Sequence, residues 1–238
     1  MGKVEFSGDI VVTELQVVAT DKMACNAARI STGKMGSGEQ EELTPADVGL
    51  VGSLMRNGHG SVWEQCMFRF RVEAPIFVAR EHFRHRTQSF NEMSGRYTEL
   101  PLRFYVPETN RLIIREEGTK TMQYQYESDP KLMRWYQDEL KESCVVAAEK
   151  YESAIIAGIV PEVARMVLPV NIFTMYEVTM NARALFAFLQ LRTDRPDSFR
   201  PSKPLLEIQA VAEQIEESMA NHMPESYKAF EKSGRVAP

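Results

Sequence analysis

Strand-like and helical periodicities interleave along this 238-residue chain, with no regular strand–helix–strand alternation and no internal repeat. That pattern predicts an α+β fold, a mixed α/β domain in which a central antiparallel or mixed sheet is flanked by helices. No shift in composition marks an interdomain linker, and the Pro-bearing segment 195–204 is short enough to be a surface loop. Residues 1–238 are therefore expected to form a single domain. A hydrophobic content of 44% and a charged content of 26% suit a globular protein with a buried core.

Taken in order, residues 8–19 are β-branched and partly alternating, which predicts a strand. Asp21 is expected to cap a short helix running to about Ile30, followed by a Gly- and Ser-bearing loop over 32–40. Thr44-Pro45-Ala46-Asp47 opens a second helix, with Pro at its first position and an apolar face of Val48, Leu50, Val51, Leu54 and Met55. Asn57-Gly58 ends it. Ser61-x-x-Glu64 fits a capping box.

Phe68–Val72 alternates apolar and basic residues, the pattern of a strand with one face of each kind. Pro75 can start a helix that carries Ile76, Phe77, Val78, Ala79 and Phe83 inward. A long charged helix is expected over Pro130–Ile156, ending at Gly158, and a short one over Pro161–Leu168. Residues 170–180 are extended, Asn181 caps a helix through Leu191, and Leu205–Met219 forms the final long helix.

The formal net charge of −5 argues against a dedicated nucleic-acid binder. Yet Arg69, Arg71, Arg80, Arg84, Arg86, Arg96 and Arg103 crowd one stretch, while acidic residues dominate 108–142 and 207–217. An acidic protein with one concentrated basic site points to a small anionic ligand. The apolar runs are far shorter than the ~20 residues a bilayer crossing requires, so no membrane span is expected. The N-terminus lacks an apolar signal region. Cys25, Cys66 and Cys144 are odd in number and widely spaced, as expected of reduced, buried thiols in a cytoplasmic protein.

Between Arg84 and Arg96 almost nothing builds a core: Arg-His-Arg-Thr-Gln-Ser-Phe-Asn-Glu-Met-Ser-Gly-Arg. Arg80 and Arg84, spaced as one helical turn, repel unless they share an anion, form a solvated basic face or pair with Glu81 and the acidic helices. Arg86 and Arg96 flank chain whose Gly and Ser can bring backbone donors to a phosphate, which favours phosphate binding. His82 and His85 with Glu81 and Glu92 invite a metal, but three arginines would repel a dication, so no metal is expected. Ser94 has no activating base nearby in sequence and reads as a hydrogen-bonding serine. Arg165 and Arg192 sit in strongly apolar contexts, so each must find an anion or reach water.

The run Arg84-His85-Arg86-x-x-Ser89-x-Asn91-Glu92-x-Ser94-x-Arg96 matches every specified position of the signature RHRxxSxNExSxR, and the chain thereby resembles the flavin-dependent thymidylate synthases. The likeness extends to Ala-Ala-Arg-Ile-Ser (27–31), Gly-His-Gly-Ser-Val-Trp-Glu (58–64), Ala-Pro-Ile-Phe-Val-Ala-Arg (74–80), Val-Ala-Arg-Met-Val-Leu-Pro (163–169), Asn181-Ala182-Arg183 and Leu191-Arg192.

The resemblance implies a homotetramer with active sites shared between subunits. It implies that dTMP is made from dUMP, with methylenetetrahydrofolate as carbon donor and NADPH as reductant through FAD. By position, Arg84, His85, Arg86 and Thr87 would line the flavin site, with Ser31, Ser61, Glu64, Glu92, Asn181 and Arg183. The dUMP site would use Arg80, Glu81, Arg84 and Glu92, then Ser94, Gly95, Arg96, Arg165 and Arg192. The residue matching Arg192 is the one thought in that family to favour ionisation of uracil N3. His59 and His85 match positions around the flavin and folate, and with Arg192 form the catalytic set.

Two departures stand out. Glu81 replaces a frequent Gln, placing a carboxylate near an anionic nucleotide unless an arginine pairs with it. Ala187 replaces a frequent Asn or His that contacts flavin. Against the enzyme stand a nucleotide- or RNA-binding protein that uses the basic stretch without catalysis, and a degenerate regulatory relative.

Overall fold

The alternation along Phe68–Val72 fixes what a strand there must do, with Phe68, Phe70 and Val72 buried and Arg69 and Arg71 exposed. The structure, a computed structural model, describes residues 3–34, 38, 41–111, 114–115 and 126–238. In chain order it contains β1 (Glu5–Ser7), β2 (Val11–Val18), α1 (Asp21–Ile30), α2 (Pro45–Arg56), β3 (Met67–Pro75), α3 (Ile76–His82), β4 (Ser89–Glu92) and β5 (Arg103–Tyr105). There follow β6 (Ile114–Arg115), β7 (Tyr126–Glu127), α4 (Pro130–Ile156), α5 (Pro161–Ala164), β8 (Phe173–Asn181), α6 (Ala182–Arg192), α7 (Leu206–His222) and α8 (Pro224–Lys232). Short 3-10 turns cover Gly60–Gln65 and Arg165–Val167. The expected mixed α/β architecture is present, and the loop expected over 32–40 lies partly outside the described residues.

The chain divides into two compact units. The first comprises Met1–Ile10, Glu73–Arg80 and Glu92–Met175. In it β1 and β5 pair in parallel, with Phe6 opposite Phe104, and Phe104 bridges to Ile172. Phe104, Cys144, Ala148 and Ile172 form its buried centre, against which Phe6, Ile76, Leu102 and Leu140 pack. The Asn171 amide donates to the Tyr105 carbonyl at 2.9 Å, so the chain entering β8 is fastened to β5. Asp129 caps α4 by accepting from the Lys131 and Leu132 amides, and Gly158 ends that region with φ of 87°, as its sequence anticipates.

The second unit comprises Val11–Val72, Glu81–Asn91 and Tyr176–Pro238. Residues 11–18, 67–72, 176–181 and 89–91 contribute here to the four-stranded sheet of order β2-β3-β8-β4. α6 packs on α7, and α2 on α8. Buried Trp63 meets Phe186 edge-on at 5.8 Å and donates from its indole to the Ser226 hydroxyl at 3.0 Å. Among the described residues no helix is long and apolar enough to cross a membrane.

Four local expectations need correction. Thr20, not Asp21, caps α1; the Asp21 carboxylate instead accepts the amides of Glu225 and Ser226 at 2.8 Å each, capping the start of α8. That helix was not expected, because its cap lies about two hundred residues away in sequence. Ser61 and Glu64 form no capping box, since the Glu64 carboxylate takes a hydrogen bond from Arg183. α3 stops at His82, so Arg84 lies in the turn beyond it and the one-turn spacing from Arg80 does not apply.

Candidate functional site

The arginine-rich stretch is far less uniform than its sequence suggests. Glu177 neutralises Arg69 and Arg71, the latter at 3.1 Å. Glu73 and Glu5 hold Arg103, which also stacks 4.2 Å from the Phe173 ring centroid. Glu162 takes the Arg96 guanidinium at 3.0 Å. Of the arginines assigned to the site, Arg80, Arg84, Arg86 and Arg165 are exposed and make no ion pair among the described residues. Exposed cations without a partner keep their capacity for an anion.

In the second unit, α3 and α6 end at one place. Arg192, the last residue of α6, donates from Nη1 to the Glu81 carboxylate at 2.8 Å and from Nε to His85 Nε2 at 3.1 Å. Arg192 thus finds the anion its apolar context demands, while Arg165 reaches water instead. The Glu81 carboxylate pairs with an arginine, which resolves the charge conflict its position raised.

His85 can accept from Arg192 only as a neutral ring with Nε2 unprotonated. Burial, and after it the Arg192 charge, pull its pKa down from 6.5 to about 4. Behind it His82 is fully buried, stacked on Phe188 at 4.5 Å and 2.9 Å from the Tyr176 hydroxyl. Burial, then the charges of His85 and Arg192, take its pKa to about 3. This ring arrangement is not legible in the local sequence, since Tyr176 and Phe188 come from β8 and α6.

Both rings titrate lower in the folded than in the unfolded chain, so the folded state binds fewer protons between pH 6.5 and these values. Stability is fully present above pH 6.5 and falls as pH drops through that window. NMR should show both rings neutral at pH 6, and His82→Phe should flatten the acid slope of stability measured by urea unfolding. Ordinary titration of both rings near pH 6.5 would contradict this.

A second cluster gathers flavin-assigned residues. Arg183, in the first turn of α6, donates to Glu64 at 2.5 Å and to the Pro238 carbonyl at 3.0 Å. Asn181 spends its side-chain oxygen on capping α6 through the Ala184 amide. Gly60 is buried against this group, and a Cβ there would lie 2.7 Å from the Pro238 carbonyl and collide with Arg183. Ser61 and His59 are exposed beside it in chain order, and Ser31 is exposed at the end of α1. Thr87 is exposed in the turn that follows α3.

The remaining assigned residues fall in the first unit, together with Arg80 and Arg165. The Glu92 carboxylate accepts from the Thr174 hydroxyl at 2.7 Å. The Ser94 hydroxyl accepts the Arg96 amide at 3.3 Å, and Gly95 is buried against the Leu100 methyls. All three cysteines are buried thiols outside any disulfide. Burial and the nearby Asp47 charge push the Cys25 thiol up to about 11, and burial raises Cys144. Neither is an activated nucleophile.

Fold and site together describe a mixed α/β protein with neutral histidines around a pinned arginine, unpaired guanidiniums in its signature loop, and no activated thiol at Cys25 or Cys144. The chain belongs to the thymidylate synthase complementing protein family, whose model matches residues 15–225. It is 40% identical over 233 residues to a flavin-dependent thymidylate synthase of Tropheryma whipplei strain TW08/27, covering 98% of this chain and 97% of the relative. A flavin-dependent thymidylate synthase of Streptomyces coelicolor is 39% identical over 238 residues, covering 99% and 96%. Among solved structures, the UMP/dUMP methylase PolB of Streptomyces cacaoi bound with 5-Br UMP superposes with a TM-score of 0.91 at 39% identity, covering 99% of this chain and all of that one. The same enzyme bound with 5-Br dUMP gives 0.90 at 40% identity.

Proposed function

We propose that this protein is a flavin-dependent thymidylate synthase that converts dUMP, methylenetetrahydrofolate, NADPH and a proton to dTMP, tetrahydrofolate and NADP+, with FAD as its resident cofactor. The observation that carries this reading is the Arg192 guanidinium, pinned by Glu81 and neutral His85, in a chain that shares its family's full signature.

Flavin suits the residues present. Gly60 lacks a side chain where the Arg183 guanidinium and the Pro238 carbonyl pack against it, and the hydroxyls of Ser31, Ser61 and Thr87 with the guanidiniums of Arg84 and Arg86 are the donors a pyrophosphate takes. Arg183 adds a guanidinium to that set, Glu64 and Asn181 join the flavin side by accepting from Arg183 and capping α6, and Glu92 lies beside the nucleotide residues. When bound, the flavin supplies the redox chemistry, which removes the need for a protein nucleophile. Arg192 stabilises negative charge that develops on the uracil, and so polarises C5–C6. Arg80, Arg84, Arg96 and Arg165 offer the nucleotide phosphate charge-assisted hydrogen bonds, and Ser94 with the Gly95 backbone orients it. Glu81 acts through Arg192 rather than on the nucleotide. His59 and His85 serve the flavin and folate side, where a neutral His85 avoids adding charge.

A homotetramer with shared active sites is part of the proposal. Trp135, Val146 and Ile156 on α4, with Met166 after α5, are exposed apolar side chains of the kind association covers. Buried cysteine thiols support a cytoplasmic location.

Purified protein is expected to be yellow, with a flavin spectrum that dUMP perturbs. It is expected to restore growth of a thymidine-requiring strain. Colourless protein that neither takes up FAD nor oxidises NADPH, and fails to complement, would end the enzyme reading. A steep loss of binding with salt and no flavin dependence would favour nucleic-acid binding instead. Gly60→Ala is expected to release flavin on gel filtration, because Arg183 must move; full retention would remove the Arg183 position from the flavin site.

A further inference from the structure

We propose that Glu81 is a positioning residue for the reaction: with His85 it clamps two edges of the Arg192 guanidinium and turns the remaining edge toward the substrate. The proposal rests on the reading that Arg192 acts on the uracil. Guanidinium carries five N–H donors in one plane. His85 Nε2 accepts from Nε at 3.1 Å and the Glu81 carboxylate from Nη1 at 2.8 Å, which leaves the Nη2 edge and one Nη1 hydrogen unspent.

The two clamps differ in kind. The His85 ring is fixed, edge-on to Phe188 at 4.9 Å and to His82 at 6.4 Å, and His82 is itself stacked on Phe188. It can hold Nε but cannot adjust. Glu81 stands on the last turn of α3, with its side chain 43% exposed against 19% for Arg192. A carboxylate in partial contact with water is anchored at one end and free to track the guanidinium at the other. One hydrogen bond at Nε leaves the head group able to swing about it, while a second at Nη1 defines its plane. Glu81 therefore supplies orientation before the nucleotide arrives, which appears in the chemical step and not in ground-state affinity.

The opposite role is equally concrete. If Glu81 held Arg192 away from the nucleotide as a competing anion, its removal would tighten binding and leave turnover intact. The two roles separate in a single experiment on the flavin-loaded enzyme, by measuring kcat and KM for dUMP in Glu81→Ala, Glu81→Gln, Arg192→Ala and the Arg192→Ala/Glu81→Ala double variant.

Positioning predicts that Glu81→Ala lowers kcat by about tenfold or more with KM little changed and the flavin spectrum unaltered. Glu81→Gln, which keeps an acceptor for Nη1, should recover most of that loss. In the Arg192→Ala background, Glu81→Ala should change nothing further, because the residue it acts through is gone. A fall in KM at constant kcat overturns the proposal, as does an equal loss of kcat in both backgrounds or a failure of Gln to rescue. Near-normal turnover of Arg192→Ala by itself would overturn the role given to Arg192, and with it the proposal. Loss of turnover in that variant together with wild-type kcat in Glu81→Ala would overturn the Glu81 role alone.

Discussion

Arg192→Ala is expected to keep its flavin and its fold while dTMP formation falls by about 10²–10³-fold, the loss seen when one donor to a developing anion is removed. The loss is large because nothing nearby replaces it. His85 is neutral and offers a ring whose Nε2 is an acceptor toward Arg192. Arg84, the other second-unit guanidinium assigned to the nucleotide, is exposed in the turn past α3 and better suited to phosphate than to a half-buried base. The fold survives because the partner left behind is not buried: Glu81 keeps access to water and rehydrates at little cost. The variant also removes a charge that helps depress His85, whose pKa should rise while remaining below 6.5 through burial. Turnover, flavin absorbance, melting temperature and the His85 titration check this together. Near-normal turnover would strip Arg192 of its role, and a lower melting temperature with lost flavin would make it structural.

How much of this was legible in the sequence follows from how local each determinant is. Pro130–Ile156 was readable because Asp129, Pro130 and Gly158 carry its limits within the segment itself. Asn181 and the β3 alternation were readable for the same reason. The α8 helix was not, because its capping carboxylate is Asp21, and the acidic Glu64 looked like a cap because its true partner, Arg183, lies 119 residues away. Charge was the least legible property. Seven arginines looked like one basic site, yet Glu5, Glu73, Glu162 and Glu177 neutralise four of them, and which ones depends on pairing across strands and turns. The Arg192–Glu81 pair lay between these extremes. An arginine in apolar sequence demanded an anion, and a carboxylate beside a nucleotide demanded a cation, but only the convergence of α3 and α6 joined them.

Asp47→Ala is expected to destabilise the second unit by about 3–5 kcal/mol at neutral pH, the cost of removing one partner from a buried ion pair. Asp47 is fully buried, and its carboxylate accepts from the Thr44 amide at 2.8 Å, the Thr44 hydroxyl at 2.9 Å and Lys22 Nζ at 3.2 Å, and also pairs with Arg29. Lys22 is almost as buried as Asp47, so alanine would strand an ammonium away from water. The same carboxylate joins two helices, since Lys22 and Arg29 belong to α1 while Thr44 begins α2. Burial alone would raise the Asp47 pKa, but the hydrogen bonds from Thr44, Arg29 and Lys22 outweigh it and hold the carboxyl well below its usual range. A folded-state pKa below the unfolded one makes the contribution fully present above about pH 3.9 and lost only as pH falls toward the folded value. The gap in urea-unfolding stability between wild type and Asp47→Asn should therefore stay constant from neutral pH down to about pH 5 and narrow below about pH 4. Flavin retention should weaken as well, because Arg29 fastens the end of α1 two residues before Ser31. An Asp47→Ala protein of wild-type stability would show that the Lys22 ammonium escapes to water. The α1–α2 junction would then rest on its apolar contacts alone.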